Sequence, residues 1–253
     1  MALLRLCRRA VFAAPLALAL GAVAAESEII EVRHKGVTLI GVPPDPAVDY
    51  DVAVIDARQG VENLRAALDM MIERSAYSAA VLETLKSNGN VVIVYHPGFP
   101  FEVAASTGTT LGLFDPHLLS VTPDPGGRKN FPVIFSRYAV KWPTEDLVPG
   151  LAHELLGHGM QHLRGTLATM SKLDSECEAS LYEDLMRQEL GTDKHSDITV
   201  RFRQSLEWRL CVPFKQYMTK HAPEKMALWE TLNLDVPRLL SVFEDYMRAT
   251  GTR

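Results

Sequence analysis

The chain has 253 residues and a mass of 28.0 kDa, with 47% hydrophobic and 23% charged side chains, which excludes a disordered or collagen-like polymer. One or at most two globular domains are expected. Lys and Arg number 26 against 31 Asp and Glu, a formal charge of −5, and no basic block follows the first ten residues, so nucleic acid is not an expected partner.

Arg5, Arg8 and Arg9 precede an apolar stretch over residues 10–23, and Ala22-Val23-Ala24 offers the small-x-small pattern for cleavage after Ala24. Residues 1–24 therefore read as a signal peptide, leaving 25–253 as one domain that is exported to a periplasm or secreted. The stretch is short for a membrane span and carries Pro15, so no stable membrane insertion is expected after cleavage. Removing three arginines and no acid takes the formal charge from −5 to −8. Cys7 is also removed, and Cys177 and Cys211 remain, either as a disulfide or as two buried thiols.

In the domain itself, residues 29–34 and 37–42 flank Lys35-Gly36 like a hairpin, and residues 51–56 form another β-rich run. Val61, Leu64, Leu68, Met71, Ser75, Leu82 and Leu85 trace an apolar stripe that predicts one long helix over 61–86, stopped near Asn88-Gly89. Strands are predicted at 90–95 and 131–138, separated by a loop region rich in Gly, Thr and Pro, with turn signals at His96-Pro97-Gly98 and Asp115-Pro116-His117. Such a long irregular connection is often functional. From Thr144, a candidate N-cap, the pattern turns helical, with Pro149 near the start of the first helix and further helices at 173–190, 197–210, 214–220, 223–232 and 237–249. Trp142, Trp208 and Trp229 are expected as core or partly buried anchors. The fold class is α+β, with a small sheet in the N-terminal half and helices in the C-terminal half.

The chemistry is concentrated in Leu151-Ala152-His153-Glu154-Leu155-Leu156-Gly157-His158-Gly159-Met160-Gln161-His162. Zinc hydrolases commonly place two His at i, i+4 with a Glu after the first, because that spacing brings both rings to one helix face. Here the spacing of His153 and His158 is i, i+5, which rotates by about 140° more than a whole turn in a regular helix and points the rings apart. One extra residue absorbed as a π-bulge realigns them, and Gly157 makes that distortion easier. A competing pair, His158 and His162, has the i, i+4 spacing, but places Glu154 about 12 Å of helix rise from His162 and gives it no role.

These residues carry a resemblance. His153 to Gly159, HELLGHG, resembles the zinc motif of the dipeptidyl peptidase III family, whose motif contains the same one-residue insertion. That family carries its third zinc ligand in a Glu-Glu-Cys-Arg-Ala-Glu motif, and Ser175-Glu176-Cys177-Glu178-Ala179-Ser180 keeps the second Glu, the Cys and the Ala, with Ser175 and Ser180 where the family has acids. The resemblance covers the two motifs only and extends more broadly to gluzincin metallopeptidases with a zincin-like domain. It implies one zinc ion per chain, held by His153, His158 and Glu176, with Glu154 as general base in the hydrolysis of a peptide or protein substrate.

The 17 residues between His158 and Glu176 allow a turn around Gly165 and a second helix returning beside the first, and Ala179 permits close approach. Glu178 is the rival third ligand, since it lies nearer the apolar stripe of Leu181 and Leu185. Tyr182, His195, Tyr217 and His221 are candidates for stabilising an oxyanion, and the strand at 131–138 is a candidate to pair with extended substrate. Gln161 and His162 read as surface or supporting residues. Two other functions fit the same residues: a noncatalytic zinc-binding protein on a peptidase fold, and a zinc amide hydrolase acting on cell-wall material.

Overall fold

The computed structural model describes residues 28–100, 110–118 and 128–251; the leader read over residues 1–24 lies outside them. The fold is α+β. Five strands, β1 (Ile30–His34), β2 (Val37–Gly41), β3 (Gly89–Tyr95), β4 (Gly112–Phe114) and β5 (Lys129–Phe135), form one sheet in the order β1-β2-β3-β5-β4. The first two make the expected hairpin, with Lys35 and Gly36 both at positive φ in its turn. β2, β3 and β5 run parallel, and β4 returns antiparallel along β5. β3 alternates cleanly: Val91, Ile93 and Tyr95 enter the main core, while Val92 and Val94 join Phe99 and Ile134 on the opposite face.

The crossover from β2 to β3 is α1 (Ala57–Arg74) followed by α2 (Ala76–Asn88), not one long helix. Ser75 divides them. Its backbone N–H closes α1 on the Met71 carbonyl at 3.2 Å while its hydroxyl accepts from the Ser78 N–H at 3.0 Å, so one residue ends one helix and caps the next. Residues 51–56 form no strand. Two of their carbonyls are taken by side chains, Ile55 by the Tyr95 hydroxyl at 2.8 Å and Ala53 by Lys141 at 2.7 Å, and Asp56 becomes the N-cap of α1.

The helical half begins with α3 (Thr144–Leu151), capped at Pro143 with Thr144 as its first residue and Pro149 inside it. A π-helical stretch, Ala152–His158, follows without a break and leads into α4 (Gly159–Arg164), which ends at Gly165 in the left-handed conformation. α5 (Lys172–Glu189) comes back along that stretch. α6 (Asp197–Ser205), a second π-helical stretch (Leu206–Leu210), α7 (Val212–His221) and α8 (Val236–Ala249) complete the chain. Of the expected helix at 223–232 only a 3-10 segment, Pro223–Leu228, is formed. Cys177 on α5 and Cys211 before α7 form a disulfide, with both residues fully buried. Trp229 is core, whereas Trp142 and Trp208 are 42% and 74% exposed, contrary to the expectation from their size. No helix among the described residues is long and apolar enough to cross a membrane.

Candidate metal centre

The widened backbone of Ala152–His158 places His153 and His158 side by side, with ring centroids 5.1 Å apart and nearly perpendicular planes. The extra residue of the i, i+5 spacing is thus absorbed as the sequence requires. Gly157 has a second task. A Cβ there would lie 2.5 Å from the Ala179 Cα and 2.7 Å from its Cβ, so the small pair Gly157 and Ala179 lets α5 pack against the π-helical stretch. This brings Glu176 to the histidines. Ligand atoms of His153, His158 and Glu176 all lie within 4.8 Å of one another, close enough to hold a metal ion, and His153 Nε2 is 3.4 Å from Glu176 Oε2.

The rings are also held from behind. Gln161 is fully buried; its Nε2 donates to the Ser175 carbonyl at 2.8 Å, which turns Oε1 toward His158 Nδ1 at 2.9 Å. The Ser175 hydroxyl donates to the same Oε1 at 2.8 Å. Because an amide oxygen only accepts, His158 carries its proton on Nδ1 and presents the Nε2 lone pair. Behind His153 stands Glu183, whose Oε2 is 3.2 Å from Nδ1, close enough to pair in charge although off the line of a hydrogen bond. Arg187 Nη2 donates to the other oxygen of Glu183 at 2.7 Å.

The electrostatics follow from this crowding of carboxylates. Burial by itself pushes the His153 pKa down, but Glu176 and Glu183 outweigh it and raise it to about 10. Interaction with His153 holds the Glu176 carboxyl below the usual carboxylate range. Burial opposes the charge of Glu183, yet His153 and Arg187 keep its pKa low as well. Two carboxylates around one imidazole make a place suited to positive charge.

Glu154 is directed at the sheet edge, where the Phe114 N–H of β4 donates to its Oε2 at 2.9 Å. Gly112 on the same strand allows this approach, since a Cβ there would lie 3.2 Å from Glu154 Cγ. The rival ligands are placed elsewhere. Glu178 is 1% exposed and bonded to Arg164, and burial, only partly offset by Arg164, raises its pKa. His162 packs between Phe114 and Phe131, with ring centroids 5.7 Å from each.

Other expectations need correction. Over Val133–Phe135, β5 has β3 on one side and β4 on the other, so that part of the strand expected at 131–138 has no free edge for a substrate, and the strand ends at Phe135. Tyr182 is buried against Tyr77, Tyr217 stacks on His221 and touches Tyr246, and His195 lies in the turn before α6. None of these four lines the cavity beside His153 and Glu154. Sequence reasoning missed Glu183 and the Phe114 N–H. The first had a signal, since Glu176 and Glu183 are seven residues apart and share a helix face; the second is a backbone group and had none. A comparison of the chain with known protein families, with characterised proteins and with solved structures finds no match in any of the three.

Proposed function

We propose that the chain is an exported zinc-dependent peptidase. The observation that carries this reading is the π-helical stretch Ala152–His158, which sets two imidazoles beside Glu176 while directing Glu154 toward the same edge of the sheet. A backbone irregularity of this kind is retained mostly where function uses it. Two imidazoles and one carboxylate, with Gln161 accepting from Nδ1 of His158 and the Glu183 carboxylate facing Nδ1 of His153, form a donor set that fits zinc. His153, His158 and Glu176 would hold the ion. Zinc in a three-ligand site supplies Lewis-acid polarisation of a carbonyl and lowers the pKa of water.

The chain's own groups supply the rest. The Phe114 N–H occupies Glu154 Oε2 and orients the carboxylate, leaving Oε1 to accept a proton from the attacking water and deliver it to the departing amine. Gln161 fixes the tautomer of His158, and Glu183 faces Nδ1 of His153. The Cys177–Cys211 disulfide ties the residue after Glu176 to the start of α7, and it supports the location outside the cytoplasm that residues 1–24 suggest.

Elemental analysis combined with a peptide-hydrolysis assay tests the reading. About one zinc per chain is expected in the wild type and in His162→Ala, and loss of zinc in His153→Ala and His158→Ala. Glu154→Gln should keep zinc and lose hydrolysis by roughly a hundredfold to ten-thousandfold. Undiminished turnover by Glu154→Gln, or a wild type that takes up no zinc, would sink the proposal.

A further inference from the structure

A cavity of about 250 Å³ adjoins the metal centre and reaches both His153 and Glu154. Its walls are mostly apolar, with Phe135, Ala139 and Leu147 buried behind it. α3 runs along one side, and Asp146 and Gly150 border the cavity at positions i and i+4, which share a helix face, with His153 just beyond its end. Gly150 is the informative residue. Glycine inside a helix is less stable than alanine, yet a Cβ at this position would meet nothing within 4 Å, so no neighbouring backbone excludes it. Its φ is not in the left-handed region either. A side chain at 150 would start in open space at the cavity wall, and the helix forgoes it.

Two exposed groups at the rim are of the kind that holds a cation. Trp142 is 42% exposed and lines the cavity. Asp146 is also exposed, and its carboxylate makes no ion pair or side-chain hydrogen bond among the described residues. Arg187 borders the cavity too, but its guanidinium is committed to Glu183 at 2.7 Å and lies over the Phe202 ring, 5.0 Å from the centroid. Among the acids that line the cavity, Asp146 is the exposed one, and it has no cationic partner among the described residues.

We propose that this cavity receives the substrate side chain next to the scissile bond and selects lysine or arginine. The long apolar stem lies over Gly150 against Leu147 and Phe135, and the positive tip emerges between Trp142 and Asp146, as amphipathic side chains do when their stems are sheathed and their heads stay wet. The inference rests on the peptidase reading and adds the substrate class to it.

The test uses zinc-loaded protein and a set of end-blocked peptides that differ only in carrying Ala, Leu, Glu, Lys or Arg at one position. Cleavage is read by mass spectrometry, and binding of the same peptides to Glu154→Gln by calorimetry. Lys or Arg on one side of the cut should be preferred over Leu by about fivefold, and over Glu by more, with the preference shrinking as salt is raised. Asp146→Lys should abolish the basic preference and admit Glu. Gly150→Leu should remove every long side chain from the accepted set while Ala peptides are still cut and the zinc content is unchanged. Cleavage without a basic preference, or a preference that neither variant moves, overturns the proposal and leaves the peptidase reading standing. Basic peptides that bind Glu154→Gln selectively but are never cut by the wild type support the cavity's selectivity and overturn the peptidase reading. Failure to bind any peptide overturns both.

Discussion

The two π-helical stretches share a backbone irregularity and differ in everything around it. In Ala152–His158 four of seven residues are buried, the sheet edge lies on one side and α5 on the other, and the histidine rings are backed by Gln161 and by the Glu183 carboxylate. In Leu206–Leu210 only Leu206 is buried, and Trp208 is 74% exposed. What the second stretch delivers lies at its end, where Cys211 meets Cys177, the residue after Glu176. A widened turn is thus held in place by what it positions: two ring nitrogens in the first case, and in the second a sulfur that clamps the helix carrying the third candidate ligand.

Removing the clamp should produce a large loss of stability. The disulfide spans a sequence separation of 34, so replacing both cysteines by alanine should cost about 3–4 kcal/mol in urea unfolding of the mature domain. A loss well below 1 kcal/mol would mean that the second stretch holds Cys211 in place without the bond. The first stretch should be most sensitive at Gly157. Gly157→Ala forces a Cβ against the Ala179 backbone, and overpacking of this kind costs about 1–3 kcal/mol. Because the strain separates α5 from the histidines, metal affinity should fall with stability; unchanged affinity in a chelator competition would show that Glu176 does not depend on that contact. A smaller and more local effect is expected at Gln161. Gln161→Met keeps the volume but removes the acceptor on His158 Nδ1, and should weaken metal binding by roughly tenfold to a hundredfold. Circular dichroism checks that the fold is kept, and equal affinity in the variant would remove Gln161 from the account.

The contrast also explains what the sequence discloses. The first π-helical stretch is legible because His153 and His158 share a metal only if the helix widens, so the spacing itself demands it. The second is silent: Leu-Glu-Trp-Arg-Leu continues the helical run at 197–210, and no pair of residues in it requires a particular alignment. The division at Ser75 is hidden for a related reason. Leu64, Leu68 and Met71 before it, and Leu82 and Leu85 after it, enter one core, so the apolar stripe passes through the cap unbroken. β4 is only three residues long, too short for alternation to register, although it supplies the N–H that orients Glu154. The sequence leaves Cys177 and Cys211 either bonded or buried, and packing of α5 beside the start of α7 decides for the bond. Large aromatic size misleads at Trp142 and Trp208, because size reports what a residue buries when it is inside and not whether it is inside.

The smallest effect is expected at Trp208, and it bears most directly on the comparison. If the second stretch is held by Leu206 and by the Cys211 bond at its end, the indole projecting from its middle contributes little to the fold. Trp208→Ser should then change unfolding free energy by no more than about 0.5 kcal/mol, and metal content not at all. Leu206→Ala should cost about 2–5 kcal/mol, because that side chain is fully buried. Measuring the two side by side separates the parts of the stretch that hold it from the part that merely rides on it. A loss at Trp208 comparable with that at Leu206 would mean that the exposed ring shields the widened backbone from water, and the two stretches would then be stabilised in the same way after all.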